Sequence, residues 1–131
     1  MKPQALTPYG PERLWIGPLD RIAEGAYLKI DVRYDDVPVS VVVFRRGGEC
    51  RAYKNLCVHM PRTLDCEQDV IFDASGRYLR CSMHGIVYDP RTGESLSEIC
   101  RGQRLTAIDL VEDEAGIWIA DRHVRPLQTL A

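Results

Sequence analysis

Two short segments of the chain carry side chains that bind transition metals. The first reads C-V-H at residues 57–59, and the second reads C-S-M-H-G at residues 81–85. Thiolate sulfur and imidazole nitrogen are ligands of zinc sites and of iron-sulfur clusters. Residues 60–80 lie between the segments, which is enough chain for an excursion and a return strand that bring two loops face to face. The sequence therefore predicts one metal site built from two loops.

The spacing within each segment bears on how many metals the site holds. In the first segment a single residue separates Cys57 from His59, whereas a mononuclear tetrahedral site usually has first-pair spacings of about two to four residues. In a [2Fe-2S] cluster with mixed ligands, each loop can give its cysteine to one iron and its histidine to the other. The pattern favours such a binuclear cluster. A mononuclear zinc site with two cysteines and two histidines is the alternative.

The arrangement C-x-H followed by C-x-x-H-G, between strands of a small β domain, resembles the Rieske iron-sulfur family. The resemblance extends to Leu64 after the first histidine, to the aromatic-acid pair at residues 88–89 and to the Thr-Gly pair at residues 92–93. It covers roughly Leu14 to Ala120. The resemblance implies a small Rieske-like fold with two cluster-binding loops.

The resemblance also implies one [2Fe-2S] cluster per chain with two kinds of ligand. The implied ligands are Cys57 and Cys81 on one iron and His59 and His84 on the other. Two neutral imidazoles leave the oxidised cluster less negative than four thiolates would, which raises its potential above that of plant-type ferredoxins. We expect the histidine-bound iron to accept the electron. Because imidazoles lose protons more readily on the oxidised cluster, we also expect the potential to fall at alkaline pH.

Two positions place the expected potential at the low end of the Rieske range. High-potential members have a serine after the H-G pair, where this chain has Ile86, and a second loop cysteine, where this chain has Ser82. We therefore expect a negative potential and no disulfide clamping the loops. The remaining cysteines, Cys50, Cys66 and Cys100, are interpreted as free interior thiols.

Other positions near the motif depart from the family pattern or have two possible roles. Many members have glycine where this chain has Pro61, and many have a proline in a third loop, where this chain has residues 97–102 without one. We expect the loop that covers the cluster to be built differently. Tyr88 either donates a hydrogen bond near a ligand cysteine or packs as a half-buried strand aromatic.

Short β-branched and aromatic runs, separated by turn sequences, must position these loops. They predict an all-β fold, a small antiparallel sandwich or barrel. A single helical turn is expected over Leu19 to Glu24, and a single domain over residues 1–131 has a core at about 13–120 and terminal arms at 1–12 and 121–131. The predicted strands are Leu14 to Ile16, Ala26 to Val32, Val39 to Phe44, Cys50 to Lys54, Tyr78 to Arg80, Ile86 to Tyr88, Leu105 to Val111 and Ile117 to Ala120.

Composition excludes several classes of function. The net charge is -2 with acids and bases interspersed, so no basic stripe exists to bind nucleic acid. No apolar run approaches the roughly 20 residues of a membrane-spanning helix, and residues 1–10 lack the apolar stretch of a secretory signal. Five cysteines, an odd number, fit a metal centre in a reducing compartment better than a disulfide framework. We expect a cytoplasmic protein.

The Rieske resemblance implies a one-electron carrier. The small size and the single cluster motif favour a low-potential ferredoxin that passes electrons from a flavoprotein reductase to a terminal oxygenase. A small Rieske subunit of a larger oxidoreductase, such as a nitrite-reductase-like complex, and a zinc-stabilised binding module are the alternatives. An enzyme with its own substrate is not expected. The mononuclear iron of Rieske oxygenases needs two histidines and a carboxylate, and only His123 lies outside the cluster motif. The oligomeric state is left open.

Overall fold

Ten β-strands and two short 3₁₀ turns form the regular structure of the described residues, which in the computed structural model are 13–57, 63–65, 70–81 and 85–127. No α-helix occurs within these ranges, and the strands pair antiparallel, so the all-β prediction is confirmed. The strands are β1 (Leu14–Gly17), β2 (Tyr27–Tyr34), β3 (Val37–Arg46), β4 (Glu49–Lys54), β5 (Leu79–Arg80), β6 (Val87–Tyr88), β7 (Ala107–Ile108), β8 (Leu110–Asp113), β9 (Gly116–Ile119) and β10 (Val124–Pro126).

The strands form three sheets. The order is β1-β9-β8 in the first, β10-β2-β3-β4-β7 in the second and β5-β6 in the third. The longest pairing is the hairpin of β2 and β3, in register from Tyr27 opposite Phe44 to Tyr34 opposite Val37. Its two turn residues, Asp35 and Asp36, both have positive φ, at 49° and 69°. Two residues of this kind twist a turn to match the flanking strands, and aspartate tolerates the conformation better than most residues.

The described chain divides into two compact units. One comprises residues 13–52 and 108–127, and the other comprises the described residues from 53 to 107. The first unit has a hydrophobic core made mainly of β-branched side chains, which suit a packed pleated surface. Its buried members are Ile22, Val32, Val41, Val43, Ala52, Ile108, Ile117, Ile119 and Val124. The prediction of a single domain over residues 1–131 stays a prediction.

Polar side chains join the turns of the first unit. The Glu24 carboxylate accepts hydrogen bonds from the backbone N–H groups of Gly47 and Gly48, at 2.7 and 3.0 Å. These bonds favour the charged form and hold the pKa of Glu24 below its ordinary value of 4.5. The Arg45 guanidinium donates to the carbonyl oxygen of Leu19 at 2.8 Å and to the Glu112 carboxylate at 3.1 Å. The β3–β4 turn and the first 3₁₀ turn are thus tied to neighbouring strands.

The C-terminal segment differs from the arm predicted over residues 121–131. Within it, β10 pairs with β2, and Val124 is buried. The buried Asp121 carboxylate accepts the backbone N–H groups of Asp109 and His123, at 3.0 and 2.9 Å. A three-residue strand ending in proline has too little alternation to be detected in the sequence. Residues 1–12 and 128–131 lie outside the described residues.

Other predicted elements are present with altered bounds. The first 3₁₀ turn occupies Leu19–Arg21, the first half of the predicted helical turn, and the second occupies Glu98–Cys100. The predicted strand Leu105 to Val111 is divided into β7 and β8. The backbone N–H of Asp109 donates to the Asp121 side chain, so a long-range side-chain contact accompanies the break in the strand. Within the described ranges, no helix has the length and hydropathy needed to cross a lipid bilayer.

Candidate metal centre

Both predicted cysteine ligands lie in the second unit, each just after a strand. Cys57 follows β4 by three residues and Cys81 immediately follows β5. Both side chains are buried, with exposed fractions of 3% and 1%. The predicted ligands His59 and His84 lie outside the described residues. Two of the four predicted ligands are therefore described. No group of three or more potential metal ligands occurs among the residues described.

Hydrogen bonds shape the loop that carries Cys57, here called the first loop, residues 55–64. At its start, the backbone N–H of Leu56 donates to the carbonyl oxygen of Lys54 at 2.9 Å. At its end, the backbone N–H of Leu64 donates to the side-chain Oδ1 of Asn55 at 2.8 Å. Asn55 and Leu64 are both buried. The sequence motifs identified Leu64 but not Asn55. The available signal for Asn55 was its position, because it is a polar residue directly after a strand and two residues before a predicted ligand.

Two backbone hydrogen bonds join the described ends of the loop that carries Cys81, here called the second loop, residues 81–86. The backbone N–H of Gly85 donates to the carbonyl oxygen of Cys81 at 2.8 Å. The backbone N–H of Cys81 donates to the carbonyl oxygen of Ile86, also at 2.8 Å. Gly85 has φ of +71°. A Cβ at Gly85 would have open space, so glycine is required by backbone conformation rather than by crowding. The glycine of the second motif therefore has a structural cause.

Tyr88 connects the two loops. Its hydroxyl oxygen lies 3.2 Å from Cys57 Sγ of the first loop. On β6, Tyr88 is paired with Leu79, two residues before Cys81 of the second loop. Because Tyr88 is fully buried, its hydroxyl must find a partner within the protein. A ligating Cys57 is a thiolate and can only accept, so the Tyr88 O–H is then the donor.

The third loop contains the segment that departs from the family pattern. Ser97 Oγ accepts the backbone N–H of Val87 at 3.0 Å, and the N–H of Leu96 donates to the carbonyl oxygen of Val87 at 2.8 Å. The second 3₁₀ turn follows and ends at Cys100, whose thiol is buried. Burial, and secondarily the charge of Cys57, raise the pKa of Cys100. Serine hydrogen bonds and a 3₁₀ turn thus shape this loop.

The remaining cysteines agree with the interpretation as thiols where they are described. Of the three, Cys50 and Cys100 lie in the described ranges, and neither forms a disulfide there. Cys50 is half-buried, and its burial and the nearby Glu112 raise its pKa to about 11, so it is an unreactive thiol at neutral pH. Cys66 and Ser82 lie outside the described residues, and the absence of a loop-clamping disulfide stays a prediction.

The donor set suits an iron-sulfur cluster. A thiolate in apolar surroundings is costly unless a metal or a hydrogen-bond donor compensates its charge. Cys57 and Cys81 are buried in a unit whose fully buried side chains include Leu64, Ile71 and Leu79. If Cys57 is a thiolate, the Tyr88 hydroxyl supplies one such donor. Two buried thiols, one of which is bonded to the Tyr88 hydroxyl, are therefore compatible with a cluster bound through sulfur.

The sequence profile of the Rieske [2Fe-2S] domain matches residues 12–113. The chain belongs to the Rieske [2Fe-2S] domain family, and the cofactor of that family is a [2Fe-2S] cluster. The resemblance inferred from the motifs is confirmed. A search of curated proteins found no match.

Solved structures similar to this chain include ferredoxins and oxygenases of carbazole 1,9a-dioxygenases. The ferredoxin from Nocardioides aromaticivorans IC177 is 29% identical with a TM-score of 0.65, over 83% of this chain and 97% of the ferredoxin. A chain from a complex of reduced oxygenase and oxidized ferredoxin is 18% identical with a TM-score of 0.65, over 85% of this chain and 94% of that chain. The terminal oxygenase from Novosphingobium sp. KA1 is 17% identical with a TM-score of 0.68, over 87% of this chain but only 31% of the oxygenase.

Proposed function

We propose that this protein is a one-electron carrier, a Rieske ferredoxin of low potential without a substrate site of its own. The observation that carries the proposal is the pair of buried cysteines, Cys57 and Cys81, on two loops that Tyr88 connects. Membership of the Rieske [2Fe-2S] domain family indicates that the cofactor is a [2Fe-2S] cluster. The similarity to a ferredoxin over 97% of that ferredoxin's length supports a carrier rather than the catalytic part of an oxygenase.

The proposed ligands are Cys57 and Cys81 on one iron and His59 and His84 on the other. When bound, the cluster supplies a single reversible one-electron step. The protein's own residues hold the ligands still and keep water away. Tyr88 donates to Cys57 Sγ, while the positive φ of Gly85 closes the turn after Cys81. A rigid and partly dry surrounding limits the rearrangement that accompanies electron transfer.

The proposed electron acceptor is a terminal oxygenase and the proposed donor is a flavin-dependent reductase. Support for the acceptor comes from the similar structures, one of which is a complex of oxygenase and ferredoxin. A small subunit of a larger oxidoreductase remains the second candidate, because its fold would be the same. The proposed location is the cytoplasm, in line with the free thiols of Cys50 and Cys100.

The first test is an electron paramagnetic resonance spectrum of the dithionite-reduced protein, with iron, sulfide and zinc analysis. We expect about two irons and two sulfides per chain and a rhombic signal whose average g lies below that of all-cysteine clusters. Cys57→Ser and Cys81→Ser should lose the signal, and Cys50→Ser, the control, should keep it. A colourless zinc-loaded preparation would replace the carrier with a zinc-stabilised module, and a stable heavy partner on purification would favour the subunit.

A further inference from the structure

We propose that Asn55 is the positioning residue of the first loop, and that its side chain closes the loop around Cys57 so that the ligand sulfur is held in place. The inference rests on the proposed function, because it assigns Asn55 a role toward the cluster. It adds a residue that lies outside the ligand motif.

The contacts of Asn55 join the two ends of the first loop. Its Oδ1 accepts the backbone N–H of Leu64 at 2.8 Å, and its Nδ2 donates to the Asp65 carboxylate at 3.3 Å. Asn55 is only 3% exposed, and Leu64 is fully buried. Both ends of the bridge are thus anchored in the packed interior of the second unit, and Cys57 lies two residues from one anchor.

The chemistry of the site calls for an amide at residue 55. The Leu64 N–H requires an acceptor and the Asp65 carboxylate requires a donor, and a single carboxamide supplies both. An aspartate would accept from Leu64 but would place a second carboxylate beside Asp65. An alanine would supply neither group and would leave the buried Leu64 N–H without its acceptor, which is costly. Asparagine therefore satisfies both neighbours at once.

Closure of the loop has a direct consequence for the cysteine ligand. Residues joining a strand to a loop have more freedom than residues in a sheet, because fewer backbone bonds restrain them. The Asn55 bridge removes that freedom at a point two residues before Cys57, whose sulfur must remain 3.2 Å from the Tyr88 hydroxyl. A ligand set that is held before the metal arrives needs little rearrangement. Asn55 thus acts on the cluster through Cys57.

The test compares Asn55→Ala with wild type as purified, by hydrogen exchange of the Leu64 amide and by the rate at which a chelator removes iron. We expect both rates to rise by about ten- to hundredfold, the factor that corresponds to one unsatisfied buried N–H. We also expect a broader electron paramagnetic resonance signal, because Cys57 would sample more than one position.

A second test asks whether exchanging the two side chains restores the bridge. In Asn55→Asp combined with Asp65→Asn, the carboxylate and the amide change places, so the Leu64 N–H keeps an acceptor and the side-chain pair keeps one donor. We expect the double variant to lose iron to the chelator more slowly than Asn55→Asp alone. The single variant Asp65→Asn shows the effect of the second substitution by itself. This comparison also carries the test if Asn55→Ala does not fold.

The control is Asp121→Ala, which removes a buried polar bridge from the other unit. At equal loss of overall stability, it should release iron more slowly than Asn55→Ala and leave the signal width unchanged. Equal effects of the two variants, wild-type behaviour of Asn55→Ala, or no rescue by the exchange would each overturn the inference. A wild-type protein without a cluster would instead refute the proposed function, so the two failures can be told apart.

Discussion

At the scale of single residues, the hydroxyl of Tyr88 contacts Cys57, one of the proposed cluster ligands. Its oxygen lies 3.2 Å from Cys57 Sγ in a fully buried position. The reduced cluster carries one more negative charge than the oxidised cluster, so a donor to a ligand sulfur stabilises the reduced form more. Hydrogen bonds to the sulfurs are among the factors that set the potential of iron-sulfur clusters. The hydroxyl should therefore raise the potential.

Tyr88→Phe should lower the midpoint potential. The expected shift is roughly 20–60 mV, which for one electron equals about 0.5–1.5 kcal/mol, the net value of one hydrogen bond. Redox titration followed by visible absorbance measures the shift. Tyr53→Phe is the matched control, because the Tyr53 hydroxyl is also buried but donates to the Pro90 carbonyl oxygen at 2.9 Å. Equal shifts in the two variants would rule out a specific effect through Cys57.

At the scale of the elements, a close approach of two strands requires glycine at the start of β9. In the first unit, Gly116 begins β9 with φ of +137°. A Cβ at this position would clash with the Gly17 carbonyl oxygen and with Trp15 Nε1. That nitrogen donates to the Ala115 carbonyl oxygen at 2.9 Å. A side chain at Gly116 would therefore separate β1 from β9 as well as strain the backbone.

Gly116→Ala should lower the free energy of unfolding by about 2–4 kcal/mol, since it adds a steric clash to an unfavourable φ. Urea unfolding followed by tryptophan fluorescence measures the change. Gly25→Ala is the matched control, because Gly25 has φ of +82° and open space around its Cβ position. Its cost should be about 1 kcal/mol. If both variants lost the same stability, the clash would not matter.

The β3–β4 turn should make stability depend on pH through Glu24. Because the pKa of Glu24 is held below 4.5 by the N–H groups of Gly47 and Gly48, its charged form stabilises the fold above the unfolded pKa, and that contribution is lost as pH falls through the folded pKa. Glu24→Gln should therefore unfold at lower urea than wild type at pH 7. The two midpoints should converge as pH falls below about 4.5. A difference that is constant with pH would show that the charge is not involved.

At the scale of the whole molecule, the Rieske [2Fe-2S] domain accounts for most of the residues of this sequence. The family profile spans residues 12–113 of the 131. For the proposed electron carrier, the potential of the cluster decides which electron donors and acceptors suit the protein.

The midpoint potential of the intact protein should be negative. Ile86 follows the H-G pair of the second motif and is buried. Its side chain has no hydrogen-bond donor for the cluster, so the reduced cluster is less stabilised than in high-potential members of the family. The Rieske range is roughly -150 to +300 mV. Protein-film voltammetry gives the value, and a midpoint above about +100 mV, well inside that range, would contradict the expectation.

The sequence by itself determined the family, the cofactor and the all-β class. These properties depend on local patterns, namely cysteine and histidine at short spacing and β-branched runs between turns. Cys57 and Cys81 were predicted as ligands and are buried on two connected loops. His59 and His84 fall outside the described residues, and their role stays a prediction.

Only the tertiary structure decided which distant groups meet. The Tyr88 hydroxyl reaches Cys57 across 31 positions of sequence, the Asp121 side chain binds the backbone that separates β7 from β8, and β10 joins β2. The bond from Leu64 to Asn55 is closer in sequence, but it too depends on how the loop folds. Such contacts involve residue types that are common on any chain, and it is packing that selects their partners. Local pattern therefore identified the chemistry, while long-range packing determined the surroundings of the two described cysteines that are proposed as ligands.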